Sequence, residues 1–141
     1  MVEALYTAVA TARGDGRNGE VTSSDGVIDE QLAIPKEMGG AGGEHTNPEQ
    51  LFAAGYSACF HSALQAVARQ AKVQLNGTTV TAEVSIGKDG PGFGLAVKLE
   101  ATLPGIEQGK ANELVNQAHQ LCPYSRATRG NIEVEVTAKT G

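Results

Sequence analysis

The sequence predicts an α+β fold with largely antiparallel sheets. Three strand-like segments separated by turn chemistry come first, and a long helical stretch follows them. Two alternating apolar segments then flank a Gly-Pro-Gly turn, and a second helical repeat leads into a last alternating segment. Strands joined by short turns pair antiparallel, whereas a doubly wound parallel sheet would alternate strand and helix throughout. With 141 residues the chain can bury a real core, and residues 1–141 are expected to form a single domain without internal repeat, linker or low-complexity tail.

Residues 5–13 carry Val, Thr and Tyr among alanines and read as a strand. Gly14-Asp15-Gly16-Arg17-Asn18-Gly19 is strong turn chemistry, and residues 20–24 return as its hairpin partner. Asp25-Gly26 turns again into a third strand over residues 27–34, and Pro35 to Gly43 is a loop. Asn47 is a good helix N-cap, Pro48 suits the first helical position and Gln50 completes a capping box, so a helix is expected from there to about Ala71. Its first half is apolar almost all round, which predicts burial on most sides. Residues 78–86 and 95–103 alternate as a hairpin. Ala111, Leu114, Val115, Ala118, Leu121 and Cys122 repeat at helical spacing, which puts Cys122 on the buried stripe at the end of a second helix over residues 107–121. Pro123 interrupts it, residues 125–128 form a short helical turn, and Ile132, Val134 and Val136 form the last strand.

Composition removes several function classes. The formal charge is −5 with acids and bases mixed, so no Lys/Arg footprint exists for nucleic acid. Trp is absent and aromatics are 4%, too few for base-stacking platforms. The longest apolar run, residues 51–60, is about half of a membrane span. The N-terminal residues carry neither a basic nor an apolar signal region, so no membrane association and a cytoplasmic location are expected.

There are two cysteines, Cys59 and Cys122. By count alone they are buried thiols, since a reducing cytosol disfavours a structural disulfide. Cys59 lies among the small residues Gly55, Ser57, Ala58 and Ala63, which leave space beside its sulfur or let a helix pack closely. An apolar setting raises a thiol's pKa, so a reactive Cys59 needs a cation from outside its own helical stretch. Arg17, in the Gly-rich turn, is the best source because guanidinium stays charged when desolvated and can hold two acceptors at once. Arg13 is the competing residue. Glu49 can orient the arginine, or simply favour the first helical turn. Ten residues separate Glu49 from Cys59, about 15 Å of helix, with side chains about 80° apart. Two such helices packed antiparallel across a dimer would bring Glu49 of one copy toward Cys59 of the other. A zinc site built from Cys59, His61, His119 and Cys122 is disfavoured, because residues two apart on a helix point to nearly opposite faces. His61 and His119 read as surface or boundary residues.

The stretch from Thr46 to Phe60, Thr-Asn-Pro-Glu-Gln-Leu-Phe-Ala-Ala-Gly-Tyr-Ser-Ala-Cys-Phe, resembles the signature helix of the organic hydroperoxide resistance (Ohr) proteins of the OsmC/Ohr family. Cys122-Pro123-Tyr124-Ser125, with Ala127 to Asn131, is similar to that family's second cysteine motif, and Ala4 to Ala8 and Ser23 to Gly26 to its opening hairpin. The resemblance implies an OsmC-like fold in which sheets wrap two central helices of an intertwined homodimer, with active sites at the subunit interface. It implies a peroxidatic Cys59, a resolving Cys122, a catalytic Glu49 and an arginine that falls on Arg17. The turn is one residue longer than in many members, which keeps Arg13 open. It further implies a thiol peroxidase acting on organic hydroperoxides, with no bound cofactor and with electrons drawn from dihydrolipoyl groups on proteins. The alternatives are the OsmC subgroup, a Cys-nucleophile hydrolase with His119 as base, and a dimeric binding protein with inert thiols.

Overall fold

Turn chemistry decides the first fifty residues. The computed structural model describes residues 2–141, so Met1 of the expected 1–141 domain lies outside them. The chain comprises two units by its internal contacts, one up to Leu51 and one spanning Phe52–Gly141. In the first, β1 (Ala10–Arg13), β2 (Glu20–Ser23) and β3 (Asp29–Gln31) form an antiparallel sheet in that order. The β1–β2 connection is a single 3-10 turn, Gly16–Asn18. Gly14 (φ 85°) and Gly16 (φ 57°) take backbone angles that a side chain resists. At Gly19 a Cβ would lie 2.2 Å from the Arg13 carbonyl oxygen. Both strands flanking this sheet's turns are shorter than their composition suggests. Residues 5–9 and 27–28 stay outside the strands, and Leu5, Tyr6, Val9, Val27 and Ile28 are exposed. Their apolar character finds no partner within one chain.

The second unit holds most of the core. A hairpin of β4 (Thr79–Asp89) and β5 (Gly92–Thr102) is joined by β6 (Glu133–Lys139), which pairs with β5 in parallel. Among the described residues three of the four strand pairings are therefore antiparallel, as expected, and the fourth is parallel because two helices intervene between β5 and β6. These are α2 (Gln108–Leu121) and α3 (Pro123–Thr128). The long α1 (Pro48–Gln70) opens in the first unit and runs on through the second. Val97, Leu99, Ala101 and Leu103 of β5 and its end pack with Tyr56, Phe60, Leu64 and Val67 of α1 and with Ala111, Leu114, Val115 and Ala118 of α2. Leu121, expected in the same α2 set, is exposed. The α1 face is not buried all round in the single chain: Ala54, Ala58 and Ser62 are exposed along one side.

Both long helices start on side-chain caps. Asn47 Oδ1 accepts from the Gln50 amide at 2.8 Å, and the Glu107 carboxylate accepts from the Lys110 amide at 3.0 Å. At its other end α1 closes on Lys72, whose φ of 59° is left-handed, with the Val73 amide donating back to the Ala68 carbonyl at 2.8 Å. That closing position favours glycine, because a Cβ there crowds the following carbonyl. Lys72→Gly is expected to stabilise the protein by about 1 kcal/mol. A denaturation midpoint that falls in this variant would contradict the reading.

Candidate active site

The two cysteines meet. Cys59, in the middle of α1, presents its sulfur 3.6 Å from that of Cys122. Cys122 is fully buried and sits at the corner where α2 ends and α3 begins, its own backbone (φ −59°, ψ 124°) outside the helical region. The corner follows from Pro123, which cannot continue α2 but suits the first position of α3. The Cys122 amide still donates to the Ala118 carbonyl at 2.8 Å, and its carbonyl accepts from Arg126 at 2.9 Å, so the residue is fixed from both helices. Both thiols are free.

Burial pushes the Cys59 thiol above its ordinary value. The backbone N–H of Tyr124 opposes this by donating to the sulfur, and the neighbouring Cys122 adds to the rise. Tyr124 stands in the first turn of α3, where amides have no partner within the helix and are free to serve an anion. Within the segment Phe52–Gly141 no cationic side chain acts on Cys59. The sulfur is thus placed for chemistry, while its ionisation is held back by its surroundings.

In the first unit the turn between β1 and β2 delivers Arg17 to Glu49. Arg17 Nη1 donates to Oε1 at 2.7 Å and Nη2 to Oε2 at 3.2 Å, a bidentate pair. Glu49 raises the Arg17 pKa further above its ordinary value through this hydrogen bond. The Glu49 side chain is 13% exposed and that of Arg17 is 36% exposed, so the guanidinium keeps an open side. Two ties align the partners. The Ile34 amide donates to Asn18 Oδ1 at 3.0 Å and fixes the turn, and a bridge between Leu32 and Thr46 sets the start of α1. Arg13 lies elsewhere: its Nη1 donates to Thr22 Oγ1 at 3.1 Å across the strand pair.

Sequence reasoning missed part of the surroundings. Phe52, Tyr56 and Tyr124 form an aromatic group with ring centroids 5.6–6.0 Å apart. Gly55 leaves room for it, since a Cβ there would lie 3.1 Å from the Tyr124 hydroxyl. His119 is no ordinary surface residue: its Nδ1 is 2.7 Å from Oγ of the fully buried Ser125. His61 lines a separate cleft of about 450 Å³ with Gln65, Arg69 and Thr78. The signal that marks the missed residues is spacing, because Tyr56, His119 and Ser125 each lie three residues from a cysteine. Among the described residues no group of three His, Cys, Asp or Glu side chains is placed to hold a metal ion.

The chain is α+β, and its two free thiols are in contact at a helix corner. Residues 40–137 match the family model described as OsmC-like protein. The organic hydroperoxide resistance protein of Xanthomonas axonopodis pv. citri is 54% identical over 134 residues, covering 94% of each chain. The solved organic hydroperoxide resistance protein of Elizabethkingia anophelis superposes with a TM-score of 0.93 at 52% identity, covering 99% of this chain and 100% of that one. OhrB of Bacillus subtilis does so with a TM-score of 0.88 at 46% identity, covering 96% and 100%. The chain belongs to the OsmC/Ohr family, among its organic hydroperoxide resistance proteins, as the resemblance of its two cysteine motifs implies.

Because Cys122 adds to the rise of the Cys59 thiol, its removal is expected to lower that value. The pH dependence of thiol alkylation in Cys122→Ala checks this. An unchanged or higher Cys59 midpoint would show that the second sulfur does not act on the first.

Proposed function

We propose that this protein is a thiol-dependent peroxidase that reduces organic hydroperoxides to alcohols and so protects against oxidative stress. The observation that carries the reading is the 3.6 Å contact between Cys59 and Cys122, in a chain whose relatives are named for organic hydroperoxide resistance. The Cys59 thiolate attacks the distal peroxide oxygen. The O–O bond breaks, the alcohol leaves with a proton, and Cys59 becomes a sulfenic acid. The Cys122 thiol then attacks that sulfur, water leaves, and a disulfide forms before a second peroxide can overoxidise Cys59. The sulfurs close from 3.6 Å to a bond of about 2.05 Å, which needs little movement. A dithiol reopens the bond by exchange, and we assign that role to dihydrolipoyl groups on a partner protein, with no bound cofactor. Such a cycle suits the reducing cytoplasm, and no helix of the described residues is long and apolar enough to cross a membrane.

The reaction needs a cation beside Cys59, since burial works against the thiolate. Arg17, held by Glu49, takes this role in our reading and also orients the peroxide oxygens. A homodimer supplies the geometry, with two copies of α1 packed antiparallel and the active sites at the interface. The exposed Ala54, Ala58 and Ser62 on α1, and the exposed apolar residues of the N-terminal segment, support such an assembly. Phe52, Tyr56 and Tyr124 favour bulky organic peroxides over hydrogen peroxide.

Peroxide loss with an organic hydroperoxide and a dithiol tests the assignment. Cys59→Ser is expected to abolish turnover, and Cys122→Ser to permit a single oxidation that ends in overoxidised Cys59. Arg17→Ala should lower kcat/KM roughly 10²-fold or more, the usual loss of a group that stabilises charge in the transition state, with Arg13→Ala near the parent. A parent without activity would end the proposal, and loss in Arg13→Ala alone would move the arginine. Light scattering is expected to give a dimer for the parent and a monomer for Ala58→Arg; a monomeric parent would contradict the interface site.

A further inference from the structure

Around the two thiols runs a chain of hydroxyls that the proposed reaction does not use. The Tyr56 hydroxyl lies 2.8 Å from Ser125 Oγ and 3.0 Å from Thr128 Oγ1, and Ser125 Oγ lies 2.7 Å from His119 Nδ1. Tyr56 and Ser125 are fully buried, Thr128 is 7% exposed and His119 is half-buried. One proton order satisfies every member. Thr128 donates to the Ser125 carbonyl at 3.3 Å. Tyr56 is then left to donate to Thr128, Ser125 to Tyr56, and His119 Nδ1–H to Ser125. Burial lowers the His119 pKa and keeps the ring neutral, with Arg129 adding to the effect.

The placement of these residues is not that of a general core network. Tyr56 is one helical turn before Cys59 on α1. His119 and Ser125 lie three residues before and after Cys122, on α2 and α3. The His119–Ser125 bond therefore closes the corner that carries Cys122, and the Tyr56 hydroxyl ties that corner to the helix that carries Cys59. A hydrophobic contact alone would permit the α2–α3 corner to slide along α1. Directional hydrogen bonds in a dry site resist it, because a displaced hydroxyl finds no water.

We propose that Tyr56, Ser125 and His119 are positioning residues that hold Cys122 at closing distance from Cys59. This rests on the disulfide step of the proposed reaction. It makes a prediction independent of peroxide: the chain sets how readily the two thiols form a disulfide in any dithiol exchange.

The test equilibrates the full-length protein with mixtures of reduced and oxidised dithiothreitol. The reagent's S–S bond breaks, two electrons and two protons leave Cys59 and Cys122, and the protein's S–S bond forms. The ratio of oxidised to reduced protein gives the effective concentration of the thiol pair. Tyr56→Phe and Ser125→Ala each remove a hydroxyl with two hydrogen-bond partners, and each is expected to lower it about ten-fold. Ser125→Thr, which keeps the hydroxyl, should restore most of it. His119→Ala, at a half-buried position, serves where a fully buried change prevents folding, and is expected to show the same direction. Nitrogen NMR of the parent should place the His119 proton on Nδ1. Values within two-fold of the parent in the folded variants would overturn the inference. A parent that forms the disulfide here yet consumes no hydroperoxide would instead refute the peroxidase reading and leave this one standing.

Discussion

Two sulfurs 3.6 Å apart at a helix corner set conflicting demands on everything around them. To close into a disulfide they must be near, so that little motion is needed. To react first with a peroxide, as proposed, one of them must ionise, which burial opposes. The chain meets the first demand with its own second unit. Pro123 turns α2 into α3 and leaves Cys122 on the corner, and α1 brings Cys59 against it. The second demand it meets in part, through the Tyr124 amide at the start of α3.

In the proposed reaction the remaining cation is assigned to the first fifty residues. Their sheet is small and its strands short, and its clearest product is the bidentate Arg17–Glu49 pair. A surface arginine on a flexible turn would spend its charge on water. This one is anchored by two hydrogen bonds to a carboxylate that is itself mostly covered, while its open side stays free for a second anion. Gly14, Gly16 and Gly19 make the turn possible.

Much of this was legible in the sequence, for reasons that differ by element. Asn47 as the cap and Pro48 at the first position of α1, with the 3,4 spacing of α2, are local signals, and local signals fix helices; the expected capping box does not close, since the Gln50 side chain accepts from Thr46 Oγ1 instead. Cys122 on the buried stripe followed from the same spacing. The first-unit strands are shorter than the sequence suggests, because Val and Tyr at residues 5–9 carry strand propensity that only a partner strand can use. The choice between Arg13 and Arg17 as the partner of Glu49 depended on a tertiary fact, the tie between Asn18 and Ile34, to which no spacing rule points. His119 is a boundary residue as its position suggests, but its bond to Ser125 has no local signal, because that partner lies across a corner in the chain and not on the same helix.

The central claim is that Cys59 and Cys122 of one chain join when a peroxide oxidises the first. Adding one equivalent of an organic hydroperoxide to reduced protein, then mapping peptides by mass spectrometry, tests it most directly. Dimers assembled from isotopically light and heavy chains identify which chain supplied each sulfur. The account predicts a Cys59–Cys122 cross-link between peptides of the same isotope only. A sulfinic acid on Cys59 beside an untouched Cys122, or mixed light–heavy cross-links, would contradict it.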